Sequence, residues 1–203
     1  MRLHAFLPCS LVNGPGRRSV VWFQGCELHC AGCWNPETHS QNSGIEISVS
    51  IIAIASAILD AHERECTEGV TLSGGEPLHQ ATAALQLLRI LHRHEPDLSF
   101  GLFTGYTERE LEQGHFITYA PATLESRQRL WRNLRDLLDF AVFGRYNRGL
   151  PCSDPMRSSR NQNLGLLSAR YTIDQFEEQL VEVTIASSGL VQVTGFPVLG
   201  PIH

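Results

Sequence analysis

The sequence predicts an α/β protein, a partial, open parallel β/α barrel with a C-terminal β-hairpin extension. Three observations predict it. Short β-branched and aromatic runs alternate with helical patterns, the order that builds a parallel sheet wrapped by helices. The chain has 203 residues, and a closed eightfold barrel takes about 250. Beyond residue 180, two segments alternate apolar and polar residues around a turn, a hairpin signature.

The elements follow in order. "RSVVWFQG" (18–25) is β-branched and aromatic and ends in Gly, so it reads as a strand. "SVSIIAIASAILDAHERE" (48–65) reads as a helix with Ser48 or Ser50 at its N-cap and Ile51, Ile54, Ala55, Ile58 and Leu59 on one face. "GVTLSGG" (69–75) is a second strand, and "PLHQATAALQLLRILHRHEP" (77–96) a helix entered at Pro77 and stopped before Pro96. "LSFGLFTG" (98–105) is a third strand. Thr107 and Glu110 have the spacing of a capping box. A helix over 122–138 leads to a fourth strand over 139–144. Residues 145–163 read as loop. "LVEVTI" (180–185) and "LVQVTGF" (190–196) make the hairpin, which is expected to cover a sheet edge.

The formal net charge is −5, with 42% hydrophobic and 18% charged residues. That balance fits one globular domain and gives no basic surface for nucleic acid. The arginines at 127, 129, 132 and 135 are interleaved with apolar and acidic residues, as on a solvated helix face. "MRLHAFLPCS" lacks the apolar run of a signal peptide, and no stretch reaches the roughly 18 apolar residues of a membrane span. A cytoplasmic location is expected, where cysteines stay thiols or bind metal.

Three of the six cysteines crowd into eight positions, as Cys26, Cys30 and Cys33. Structural zinc takes four protein ligands, so a zinc knob needs His29 or His39 as well. An iron–sulfur cube held by three cysteines leaves one iron open, as a catalytic site requires. Three unrelated thiols are the third possibility. Gly25 and Gly32 let the backbone wrap tightly around whatever is bound. "LSGGEPLHQ" (72–80) then places Gly74, Gly75 and Glu76 at a strand end, offering backbone groups and a carboxylate to a ligand. A plain strand-to-helix turn would account for the same residues. In open α/β sheets ligands sit at the carboxyl ends of strands, and both motifs lie there, as does Thr104-Gly105-Tyr106.

Together these motifs resemble the radical S-adenosylmethionine (SAM) superfamily. The resemblance implies that Cys26, Cys30 and Cys33 ligate a [4Fe–4S] cluster whose open iron chelates SAM. It implies that Gly74, Gly75 and Glu76 contact the methionine part of SAM, with Gly32, Cys33, Trp34 and Thr104 beside it. Reductive cleavage of SAM would yield a 5′-deoxyadenosyl radical. Within the superfamily, "VNGPGRRSVVWFQGCELHCAGCWNPETH", "SGGEPLH", "FTGYTERELE" and "RSSRNQ" resemble the activating proteins of glycyl radical enzymes, above all those of anaerobic ribonucleotide reductase. The partners implied are a glycyl radical enzyme and an electron donor such as flavodoxin. The resemblance covers residues 4–163, so 1–163 is expected to form the core and 164–203 an extension packed on the same domain.

Two departures concern the target. The family ends its fourth strand in Val-Asp-Gly, and here it is Val142-Phe143-Gly144. "RSSRNQ" carries Ser158 and Arg160 where Gly and Ser are expected. A radical SAM enzyme acting on a small molecule or peptide is the second reading, and a zinc-stabilised binding module the third. His79, His92 and His94 fall on a predicted helix and are expected to face solvent.

Overall fold

The computed structural model describes residues 1–42, 47–153, 156–176, 181–185, 189 and 191–196. Its main sheet has seven strands: β1 (Arg2–Ser10), β2 (Arg18–Phe23), β3 (Ile47–Ser48), β4 (Gly69–Gly74), β5 (Ser99–Thr104), β6 (Phe140–Phe143) and β7 (Asn163–Leu166). Their order across the sheet is β3-β1-β2-β4-β5-β6-β7. The four strands expected from sequence are β2, β4, β5 and β6, and they run parallel side by side. β1 and β7 flank them antiparallel.

The flanking strands are not among those the sequence predicts. β1 slips register twice against β2, between Leu3 and Ala5 and between Leu7 and Ser10. Those irregularities break the alternation that marks a strand. β7 is four residues long and contains Gly165, which weakens any β signal.

The helices are α1 (Ile51–Glu65), α2 (Ala81–His94), α3 (Glu108–Glu112) and α4 (Leu124–Arg135). Ser50 caps α1 by accepting from the Ala53 N–H, and Thr107 and Glu110 form the full capping box of α3. Pro77 opens a 3-10 turn over Pro77–Gln80 before α2 proper. The helices bury Ile58, Leu88, Leu91 and Trp131 against one face of the sheet, in one core with Val21, Leu72 and Phe100. A smaller cluster, containing Phe140, Val142, Met156, Tyr171, Phe176 and Phe196, covers part of the other face. No helix among the described residues is long and apolar enough to cross a membrane.

Arg18 closes the sheet at the amino ends of the parallel strands. It is fully buried. Its guanidinium donates to the Thr71 hydroxyl at 2.8 Å, the Ser99 hydroxyl at 2.6 Å, and the carbonyls of Val70 and Ser99 at 3.0 and 3.1 Å. The Phe140 ring lies 5.0 Å below it. These acceptors are neutral, and burial pulls the pKa of Arg18 down, while Tyr171 and the charges of Asp139 and Glu68 oppose the fall. Phe140 fits only because its neighbour on β5 is Gly101, where a Cβ would stand 2.1 Å from the ring.

β8 (Val181–Ile185) and β9 (Val191–Gly195) pair antiparallel with each other, in a two-stranded sheet of their own. Most of the turn between them lies outside the described residues. Among the described residues the hairpin's strands pair only with each other and join neither edge strand of the main sheet. Polar side chains hold it instead. Glu182 accepts from the Leu11 N–H, and Asn13 donates to Thr194. The valines at 181, 183, 191 and 193 point outward.

Gly101→Ala is expected to destabilise the protein by about 1–3 kcal/mol through overpacking against Phe140. Adding Phe140→Leu should make the combined loss smaller than the sum of the single losses. Urea unfolding of the two single variants and the double variant reads this directly, and additive losses would contradict the packing argument.

Candidate active site

The carboxyl ends of β2, β4, β5 and β6 open onto one cavity of about 570 Å³. The cysteine loop leaves β2 and returns to it at a narrow neck. The Gly25 N–H donates to the Thr38 carbonyl at 2.7 Å, and the Cys26 N–H to the His39 carbonyl at 3.0 Å. The glycine motif docks on the same neck. Gly75 N–H donates to the Phe23 carbonyl at 2.8 Å and Glu76 N–H to the Gly25 carbonyl at 3.0 Å. A Cβ on Gly75 would lie 2.4 Å from the Gly25 oxygen, and one on Gly74 would lie 2.5 Å from the Phe23 nitrogen. Both glycines are therefore demanded by backbone-to-backbone contact.

Of the residues expected at the site, Cys26, Cys30, Cys33, Trp34, Gly74, Gly75, Glu76 and Thr104 line this cavity. Gly32 does not; it is exposed, at φ +73°, beside Arg148. Tyr106 is packed in the core, its hydroxyl accepting from the Ile117 N–H at 3.1 Å.

All three cysteines are free thiols. Burial pushes the Cys26 thiol up to about 11, against the pull of the Leu28 and His29 N–H groups. Cys33 is also raised by burial, while the Asn35 N–H reaches its sulfur at 3.4 Å. Metal binding must therefore displace protons from these sulfurs. Among the described residues, no three His, Cys, Asp or Glu side chains converge as ligands of a single ion. A four-iron cube spreads its thiolates further apart than one ion does. Three free thiols on one cavity wall, with N–H groups aimed at two of the sulfurs, fit a [4Fe–4S] cluster.

Glu76 is 1% exposed although it borders the cavity. Its carboxylate accepts from the Leu78 N–H at 3.0 Å, the Gly105 N–H at 2.8 Å, and the Thr104 hydroxyl at 2.9 Å. Burial pushes its pKa up to about 7, and those donors oppose the rise. Thr104 both lines the cavity and holds Glu76, tying the end of β5 to the glycine motif.

The departures from the family pattern have separate places. Phe143 is 2% exposed and packs edge-on to Trp131 at 6.0 Å, on the helix side of the sheet. Its neighbours Val142 and Gly144 line the cavity instead. "RSSRNQ" forms a turn in which Gln162 accepts from the Ser158 and Ser159 N–H groups and donates to the Gly144 carbonyl at 3.1 Å. Ser158 and Gln162 border the cavity.

Several site residues carry no motif that would announce them. Phe196, just after β9, stacks at 5.7 Å on Phe103 and at 6.2 Å on Trp34, and Tyr146 lies 5.8 Å from Trp34. The C-terminal segment thereby supplies one wall of the cavity. His79, expected to face solvent, is fully buried. It lies within the 3-10 turn that follows Glu76, so it points inward where an α-helical phase would have turned it outward.

The sequence pattern of the 4Fe-4S single cluster domain family matches residues 12–165. The anaerobic ribonucleoside-triphosphate reductase-activating protein of Vibrio cholerae is 38% identical over 118 residues, 55% of this chain and 73% of that protein. The protein of the same name from Enterobacteria phage T4 is 26% identical over 166 residues, 81% of this chain and 93% of its own. The pyruvate formate-lyase-activating enzyme of Clostridium pasteurianum is 36% identical over 89 residues, 44% of this chain and 37% of the enzyme. Among solved structures, QueE from Escherichia coli matches 52% of each chain at 20% identity and a TM-score of 0.37, too loose a likeness to carry an argument. The chain belongs to the 4Fe-4S single cluster domain family, with the activating proteins of the radical SAM type. It is an enzyme whose cofactors are a [4Fe–4S] cluster and SAM.

The buried Glu76 predicts a pH dependence. The folded, cofactor-free chain keeps this proton up to about 7, whereas the unfolded chain releases it near the ordinary 4.5. The unfolded state binds fewer protons between those values, so stability falls as pH rises, by about 3 kcal/mol at most. Urea unfolding on either side of that window should show the loss, and Glu76→Gln should flatten it. Equal losses in both proteins would remove Glu76 as the cause.

Proposed function

We propose that this enzyme uses Cys26, Cys30 and Cys33 to hold its cluster, cleaves SAM reductively, and installs a glycyl radical on a partner enzyme such as anaerobic ribonucleotide reductase. One observation carries the reading: the three-cysteine loop and the Gly74-Gly75-Glu76 segment share one neck and line one cavity. The similarity to activating proteins of ribonucleotide reductase and pyruvate formate-lyase supports the partner class.

Cys26, Cys30 and Cys33 would hold the cluster, which would supply the electron for reductive cleavage of SAM to methionine and a 5′-deoxyadenosyl radical able to take a hydrogen atom from a glycine Cα. The chain's own residues bind, orient and exclude water. The end of β4 brings Gly74 and Gly75 to the cavity, beside the place proposed for the amino-acid part of SAM. Glu76, held by Thr104 and Gly105, offers negative charge to an ammonium. Such a ligand favours the ionised carboxylate and draws its raised pKa back down. Trp34, Tyr146, Phe103 and Phe196 give an apolar wall that shields a radical from solvent. No side chain is required as a general acid or base. An external one-electron donor of the flavodoxin kind completes the cycle. Residues 1–163 carry the cofactor loops, and from the extension over 164–203 Val193, Thr194, Gly195 and Phe196 complete the cavity wall.

A second reading keeps this chemistry but takes a small molecule or peptide as target. The observation behind it is Phe196, which narrows the cavity from the C-terminal side.

After anaerobic loading with iron and sulfide, reduction and addition of SAM, the protein is expected to form 5′-deoxyadenosine. Cys30→Ala should lose at least a hundredfold of that product. With a glycyl radical enzyme present, an organic radical signal should appear on the partner in electron paramagnetic resonance. Product without any radical on candidate partners would favour the small-molecule reading. No product, with stoichiometric zinc in the protein as purified, would sink both.

A further inference from the structure

We propose that His79 is a positioning residue for the cluster loop: its imidazole fixes the peptide that follows Cys26, and with it the N–H groups that face the Cys26 sulfur. The proposal rests on the reading of Cys26 as a cluster ligand. His79 belongs to the glycine-motif segment, two residues beyond Pro77, and its backbone is pinned from both sides. Its N–H donates to the Glu76 carbonyl at 3.1 Å, and its carbonyl accepts from the Tyr119 N–H at 2.7 Å.

The ring bridges two segments distant in sequence. Nε2 lies 2.9 Å from the Glu27 backbone nitrogen, and Nδ1 lies 3.0 Å from the Ile117 carbonyl oxygen. An amide N–H can only donate and a carbonyl can only accept. The two partners therefore fix one neutral tautomer, with the proton on Nδ1 and the lone pair of Nε2 turned to Glu27. Burial, which lowers the pKa of His79, favours that neutral form. Tyr119 and Tyr106 flank the ring at 5.1 and 6.1 Å.

What the bond holds is the start of the cysteine loop. Glu27 follows Cys26, and the N–H groups of Leu28 and His29 next in line reach the Cys26 sulfur. Hydrogen bonds to cluster sulfurs stabilise the reduced form and raise its potential. With Glu27 unanchored, the turn from 26 to 29 loosens and those donors lose their aim. A residue that merely filled space would leave the potential untouched.

The test compares wild-type protein, His79→Ala, His79→Gln and His92→Ala, each loaded anaerobically with iron and sulfide. The readouts are the reduction potential and the low-temperature electron paramagnetic resonance spectrum of the reduced cluster. His79→Ala should move the potential to more negative values and change the spectrum. His79→Gln, whose carboxamide can reach the Glu27 N–H, should recover part of the shift. His92→Ala, on the exposed side of α2, should match wild type. In cluster-free protein, amide hydrogen exchange at Glu27 should quicken at least tenfold in His79→Ala, while Val70 and Phe100 in the central strands stay protected. An unchanged potential in loaded His79→Ala overturns the proposal. If His79→Ala does not load, unchanged Glu27 exchange overturns it. A wild-type protein that takes up no cluster defeats the Cys26 reading, and this proposal with it, and so separates the two failures.

Discussion

Backbone contact at the mouth of the sheet sets everything else. β2 and β4 end side by side, and their chains come so close that Gly75 meets the Gly25 carbonyl with no room for a side chain. The cysteine loop is tied at the same point through Thr38 and His39. A loop of a dozen residues pinned only by its own ends would wander. Here it shares its neck with the segment that carries Glu76, so the two motifs are held together. The glycines are structural in the first place and functional in consequence.

From that neck the remaining connections run outward by strand. Thr104 and Gly105, at the end of β5, grip Glu76. Gln162 grips Gly144 at the end of β6. Each strand end is thus tied to a loop that borders the cavity. Asp139, just before β6, accepts from the Phe100 N–H and the Ser168 hydroxyl, so the opposite end of the sheet is tied as well. The substitution at Phe143 touches none of this. Its side chain faces Trp131 and the helices, so the loss of a carboxylate there changes the core and leaves the cavity wall to Val142 and Gly144.

The four parallel strands, the helices with their caps, and the cysteine and glycine motifs were legible in the sequence because local chemistry dictates them. β-branched runs, an N-cap serine, a capping box and a glycine pair each carry their reason within a few residues. What escaped depends on distant partners. β1 is a strand only because β2 pairs with it despite two slips. His79 is buried only because the turn after Glu76 is tight and Glu27 and Ile117 come to meet it. Phe196 and Phe103 form a wall only when the C-terminal segment folds back over the sheet. No spacing rule encodes such meetings, whereas the three-cysteine spacing announces itself.

The buried Arg18 has a consequence for how the chain is made. Its strand leaves the ribosome early, yet Phe140 and Tyr171, which cover and hydrogen-bond the guanidinium, are synthesised more than a hundred residues later. Until they arrive, the charge keeps its water and the amino end of the sheet stays open. Contacts of such long sequence separation slow folding, and unpaired strand edges in the waiting chain invite aggregation. A nascent chain halted before residue 171 would also lack β9 and Phe196, the last wall of the cavity. Completion of the fold and closure of the cavity are therefore late and linked events in the life of the polypeptide.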